Sequence, residues 1–149
     1  MTRISFADAE AYFRWAGGGL PTEAQWELAA RAGTAGPAAD QLADYALYAE
    51  NSGGAVHHVA QKKPNAFGLF DMLGNVVEYT ADLFDSSTYA ATASTTDPAR
   101  TTPGQPDAGH VPRGGLWADP AKALRVSKRF FGADEGTPVS GIRCTLPAR

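Results

Sequence analysis

One cysteine, Cys144, is all the thiol in 149 residues. A lone thiol cannot form an internal disulfide or a cysteine-built zinc site, and it is otherwise silent on compartment. Runs of like charge are missing too: Lys62-Lys63 is only a pair, and 13 basic against 16 acidic residues leave a net charge of −3. That balance argues against a nucleic-acid or anionic-membrane partner recognised through bulk charge. No stretch approaches the roughly 20 apolar residues of a membrane span. The opening Met1-Thr2-Arg3-Ile4-Ser5 has no apolar signal core, so the default expectation is a soluble cytoplasmic chain. A Gly-rich phosphate loop, a nucleophile elbow and a helical histidine pair are all absent. Glycine and proline, by contrast, are plentiful at 16 and 10, which favours a loop-rich fold over a helical bundle. The length suits one domain, 1–149, and a hydrophobic share of 44% suffices for a core.

Local signals place two helices first. Ser5 with Asp8 has N-cap spacing, and Phe6, Ala9, Phe13 and Ala16 recur on one helical face. Gly17-Gly18-Gly19 ends that helix. Thr22 and Gln25 form a capping box for a second helix, whose buried face is Trp26, Ala29 and Ala30 and which Gly33 stops. Residues 36–54 read as a short helical turn and a loop. Asn75 to Thr80 reads as a strand, as do Val111 to Trp117, Ala123 to Arg129 and Ser140 to Leu146. Asp85 to His110 reads as a long surface loop. Two early helices followed by short antiparallel strands and long loops make an α+β fold.

Four segments, in order, carry a family resemblance. They are Trp15-Ala16-Gly17 with Leu20-Pro21-Thr22-Glu23-Ala24-Gln25-Trp26-Glu27-Leu28-Ala29-Ala30-Arg31; Pro64-Asn65-Ala66-Phe67-Gly68-Leu69-Phe70-Asp71-Met72-Leu73-Gly74-Asn75-Val76-Val77-Glu78-Tyr79; Arg113-Gly114-Gly115-Leu116-Trp117; and Gly141-Ile142-Arg143-Cys144. Together they resemble the formylglycine-generating enzyme, or sulfatase-modifying factor, family. The resemblance implies a C-type-lectin-like fold. It also implies an N-terminal strand region that this chain does not include, so a sheet edge is expected to be covered by a second copy or another chain.

Oxidase members of that family hold copper between two cysteines shortly after the motif matching Arg113 to Trp117. Paired thiolates suit the soft Cu(I) ion. The matching stretch here, Ala118 to Leu124, contains none, and Cys144 falls in the closing strand, where the thiol is expected to be core. Copper is therefore not expected. The resemblance also implies a calcium site: Asp71 and Glu78 through side chains, Gly74 and Val76 through carbonyls, with Asn51 and the Ser52 carbonyl at a second. Calcium wants several hard oxygens. In the competing reading Asp71 caps a turn and Glu78 bonds Arg113 or backbone amides. His57 and His58 point to opposite faces of a strand and read as loop residues.

Two functions stay open. One is a non-catalytic binding module, of the kind that includes the variable proteins of diversity-generating retroelements. Its protein or small-molecule ligand would meet a C-terminal loop face of Trp117, Asp119, Lys122, Lys128, Phe130, Phe131, Asp134, Glu135 and Thr137, with Phe130 and Phe131 both exposed. The other is an enzyme, or part of one, of the formylglycine-generating or sulfur-transfer kind. That reading needs a cleft where Arg113, Arg125, Arg129 and Glu78 converge rather than brace loops.

Overall fold

The computed structural model describes residues 2–86, 96, 98–99, 108–132, 134–136 and 138–146. Helix α1, Phe6–Trp15, starts where the Ser5 hydroxyl accepts the Asp8 N–H at 3.1 Å. Ala9 and Phe13 turn inward and Phe6 is half-buried, whereas Ala16 is the exposed C-cap. Gly17 leaves the helix at φ 78°, a conformation open to glycine at no steric cost. Helix α2, Glu23–Arg31, carries the full capping box of Thr22 and Gln25 and buries Trp26 and Ala30. It ends one residue before the expected glycine, because Ala32 itself takes the left-handed cap at φ 46°. A 3-10 turn, Ala39–Gln41, leads into the four-residue helix α3, Leu42–Tyr45.

Three strands follow: β1, Val77–Leu83; β2, His110–Arg113; and β3, Ser140–Gly141. They form one sheet in the order β2-β1-β3. β2 runs antiparallel to β1, with Glu78 opposite Arg113, and the register is irregular between Tyr79 and Leu83. β3 runs parallel to β1, so the sheet is mixed rather than wholly antiparallel. β1 begins two residues later than Asn75 because Gly74 and Asn75 are left-handed at φ 76° and 61°, and β2 stops at Arg113 because Gly114 and Gly115 turn at φ 94° and 84°. Residues 123–129 are not a strand. A 3-10 turn, Ala121–Ala123, is followed by a tight turn in which Lys128 N–H bonds the Arg125 carbonyl, and Val126 drops into the core. The expected closing strand is reduced to β3 and a single bridge from Thr145 to Gly19. The β2 edge is short, and Phe130 N–H reaches the Pro112 carbonyl across it at 3.3 Å.

Alternation along β1 gives it two different faces. Glu78, Thr80 and Asp82 are all buried. Glu78 meets the Trp26 indole and Asp82 accepts the Glu23 N–H at 2.6 Å, which places a carboxylate at the positive end of α2. Tyr79, on the other face, packs edge-on against Phe6 of α1, ring centroids 5.9 Å apart. The main core lies beside α2 and joins Trp26 and Ala30 to Leu42, Tyr48, Met72, Leu73, Leu124 and Val126.

Candidate functional site

Three arginines and two glutamates form a continuous chain of charge under the C-terminal loops. Glu23, Glu27 and Arg31 share one face of α2 through their four-residue spacing. Arg129 clamps Glu23 with two bonds, Nε to Oε1 at 2.6 Å and Nη2 to Oε2 at 2.8 Å, and gives a third to the Asp85 carbonyl. Arg113 is fully buried. It pairs with Glu27, lies 3.7 Å from Glu23, donates to the Lys128 carbonyl and stacks over the Trp26 ring. Arg31 closes the chain on Glu27. Arg113 and Arg129 are therefore braces with their charges already matched. Arg125 stands apart on the surface, bonded to the Lys122 carbonyl. Of the four groups, Arg113 and Arg129 meet at Glu23 and Arg113 and Glu78 meet at Trp26, whereas Arg125 lies apart.

Glu78 has other partners than those expected. Its register neighbour Arg113 turns to Glu27, while Trp26 contacts both: Arg113 over its ring and Glu78 at its N–H, 2.8 Å away. The cation on Glu78 is Arg143, whose Nε and Nη2 reach the two carboxylate oxygens at 2.8 Å each. Burial lowers the Arg143 pKa, but the charge and hydrogen bonding of Glu78, with Asp71 farther off, hold it above its ordinary value. The Asp71 carboxylate accepts the Ala60 N–H at 2.6 Å. Three of the about four acceptor positions of Glu78 are thus taken, which leaves Glu78 one position for a calcium ion held with Asp71 and the Gly74 and Val76 carbonyls. The residues of the second implied site also have protein partners. Asn51 closes its own turn, its Oδ1 on Tyr48 N–H and its Nδ2 on the Ala46 carbonyl, and the His57 ring stands 2.5 Å from the Ser52 carbonyl. Among the described residues no three His, Cys, Asp or Glu side chains gather as a metal set.

Eight of the nine residues expected to form one ligand face are described, and they fall into groups with separate partners. Phe131 is 64% exposed and packs edge-on against Phe84 at 5.2 Å, with Arg129 over the other ring. Phe130, expected to be exposed, is half-buried. It packs toward Gly115, where a Cβ would lie 3.7 Å from its ring, and Lys128 lies over it at 5.4 Å. Trp117 and Asp119 are scaffold: the Trp117 backbone bonds Asn75 and Ser52, and the Asp119 carboxylate accepts Leu116 N–H. The Trp117 indole N–H is buried and has no partner among the described residues. Asp134 bonds the backbone and ring of His110, which is stacked on Phe6, while the Glu135 carbonyl meets the Tyr79 hydroxyl. Lys122 lies on the surface beside Arg125. Thr137, and most of the loop from Asp85 to His110, lie outside the described residues.

Sequence reasoning missed Phe84 and the two glutamates of α2. Phe84 carried no motif, but the spacing of Glu23, Glu27 and Arg31 was a readable signal of one charged face. Cys144, expected in the core, is exposed: Arg143 turns inward to Glu78, so its neighbour points out. The stretch Ala118 to Leu124 offers a carboxylate already used in a turn and a buried leucine, Leu124, not paired soft ligands. No described helix is long and apolar enough to cross a membrane.

Comparison with known proteins agrees with this scaffold. The formylglycine-generating enzyme of Streptomyces coelicolor is 38% identical over 99% of this chain and 52% of its own length. A murine relative named inactive C-alpha-formylglycine-generating enzyme 2 is 31% identical over 99% of this chain and 49% of its own. The solved structure of Treponema denticola variable protein 1 superposes with a TM-score of 0.69 at 36% identity, covering 85% of this chain and 46% of that one. The chain thus spans about half the length of these relatives. With the family profile matching residues 1–148, the chain belongs to the sulfatase-modifying factor enzyme 1-like domain family.

Proposed function

We propose that this chain is a non-catalytic binding module whose C-terminal loop face, centred on Phe131, meets a protein or small-molecule ligand. One observation carries the reading: an exposed aromatic ring stands on a fixed base. Phe131 rests on Phe84, Phe84 lies under Arg129, and Arg129 is clamped by buried Glu23. Rigid aromatic anchors lose little entropy on binding and dominate recognition surfaces. The chemistry of the chain supports the same side. Copper-dependent oxidation needs paired thiolates that the sequence lacks, and of the candidate arginines Arg113 and Arg129 are already engaged by Glu23 and Glu27. The likeness to a variable protein of Treponema denticola and to a relative named inactive supports a binding role. A variable protein of a diversity-generating retroelement is the form this reading takes.

The test has two arms. Peptide or protein binders are selected from a display library against the chain and re-measured on Phe131→Ala and on Trp15→Ala. Binders that lose about tenfold or more affinity only on Phe131→Ala, at least 1.4 kcal/mol, support the proposed face. Binders indifferent to Phe131 overturn it. In the second arm, Cu(I)-loaded chain is incubated with a cysteine peptide substrate of a formylglycine-generating enzyme. No aldehyde is expected, and aldehyde formation restores the enzyme reading.

A further inference from the structure

A cleft opens on a part of the molecule that Phe131 does not line. It is a groove open to solvent, of about 630 Å³, between the end of α2, the segment Gly36-Pro37 and the turn carrying Lys122 and Arg125. Its floor is Leu42, Leu73, Leu124 and Val126, all core residues at 5% exposure or less. These four show only their edges to the cleft, and Ala35, Pro37, Ala39 and Ala121 give it the more accessible part of its apolar lining. Its volume lies within the roughly 300–1,000 Å³ of small-molecule sites.

Among the described residues the charged groups that line the cleft are Arg31, Lys122 and Arg125, and none is acidic. Arg31 is matched by Glu27. Lys122 and Arg125 are exposed, and neither has a carboxylate partner among the described residues. The bond from Arg125 Nη1 to the Lys122 carbonyl, 2.9 Å, ties the guanidinium to the turn at the rim. An apolar floor selects a body without charge, and two unmatched cations at the mouth select an anionic end.

We infer that this cleft binds a small amphipathic carboxylate, an aliphatic or aromatic acid whose apolar body lies among Pro37, Ala39 and Ala121 over the edges of Leu73 and Leu124, and whose carboxylate faces Lys122 and Arg125. It is a site separate from Phe131.

The probes are octanoate and 1-octanol, which share a chain and differ in charge. The isotope-labelled chain is titrated with each at millimolar concentration and amide shifts are followed by NMR. Octanoate gives saturable shifts at Leu42, Leu73, Leu124 and Val126, with 1-octanol about tenfold weaker or worse. Charge reversal at the rim, Lys122→Glu with Arg125→Glu, touches only exposed side chains. It lowers octanoate affinity about tenfold and leaves 1-octanol unchanged. Filling the cleft at exposed Ala39 with Trp blocks both. Phe131→Ala leaves octanoate binding as it was, so the two sites fail or survive independently. Unsaturable shifts, equal affinity for alcohol and acid, or octanoate binding that survives charge reversal each overturn the assignment.

Discussion

The Arg143 guanidinium lies side-on to the Glu78 carboxylate, with two bonds of 2.8 Å, and its Nη2 also reaches the Phe70 carbonyl. Removing the cation leaves a buried carboxylate with the Trp26 indole as its neutral donor. Arg143→Met is expected to cost about 3 kcal/mol, the low end for a broken buried pair, because Arg143 keeps some exposure. Urea unfolding measures it. The double variant Glu78→Gln, Arg143→Met should regain much of the loss. A cost under about 1 kcal/mol would place the pair with screened surface bridges.

The same pair governs calcium. A ligand that binds only the native state raises the melting temperature by mass action. With Glu78 engaged by Arg143 and Trp26, millimolar calcium is expected to leave the melting temperature unchanged. A clear rise, lost on Asp71→Ala, would restore Asp71 to Glu78 as a calcium loop.

At the start of α2 the capping box can be removed without touching the core. Thr22→Ala should cost about 1 kcal/mol, and circular dichroism melting should show it as a lowered midpoint. An unchanged midpoint would mean that the Asp82 carboxylate on Glu23 N–H suffices to hold the helix end.

Both long helices were legible because their signals are local. Ser5 and Asp8 are three residues apart, as are Thr22 and Gln25, and each pair acts alone. β3 was not legible as a parallel partner of β1, since a two-residue strand carries no period and its pairing spans about sixty residues. Residues 123–129 misled because Val126 faces the core as a strand residue would, while the backbone around it turns. The link from Glu78 to Arg143 was hidden by register reasoning. Glu78 does stand opposite Arg113, but the α2 acids draw Arg113 away. Exposure of Phe131 was anticipated, whereas its support by Phe84 required knowing that the far side of a long loop returns beside it.

Cys144 gives a direct test of how the closing segment sits. An exposed thiol should react with maleimide in the native state at nearly the rate of the unfolded chain. Protection by tenfold or more, relative to denatured protein, would return Cys144 to the core and turn Arg143 outward.

Around the exposed ring, neighbouring positions should differ sharply in tolerance. Phe131→Ala is expected to change stability by no more than about 0.5–1 kcal/mol. Gly132→Ala places a Cβ against the His110 carbonyl and beside Pro112, and overpacking there should cost about 1–3 kcal/mol. Equal effects in thermal melts would refute the contrast.

That contrast has a consequence for how such a surface changes over generations. Arg129 is pinned from below by Glu23, and Gly132 has no room to grow, so the backbone on both sides of residue 131 is set by contacts that the ring does not make. On the binding face proposed above, exchange at 131 would alter recognition without altering what the chain folds into. Selection can then act on specificity and on foldability through adjacent codons that do not compete.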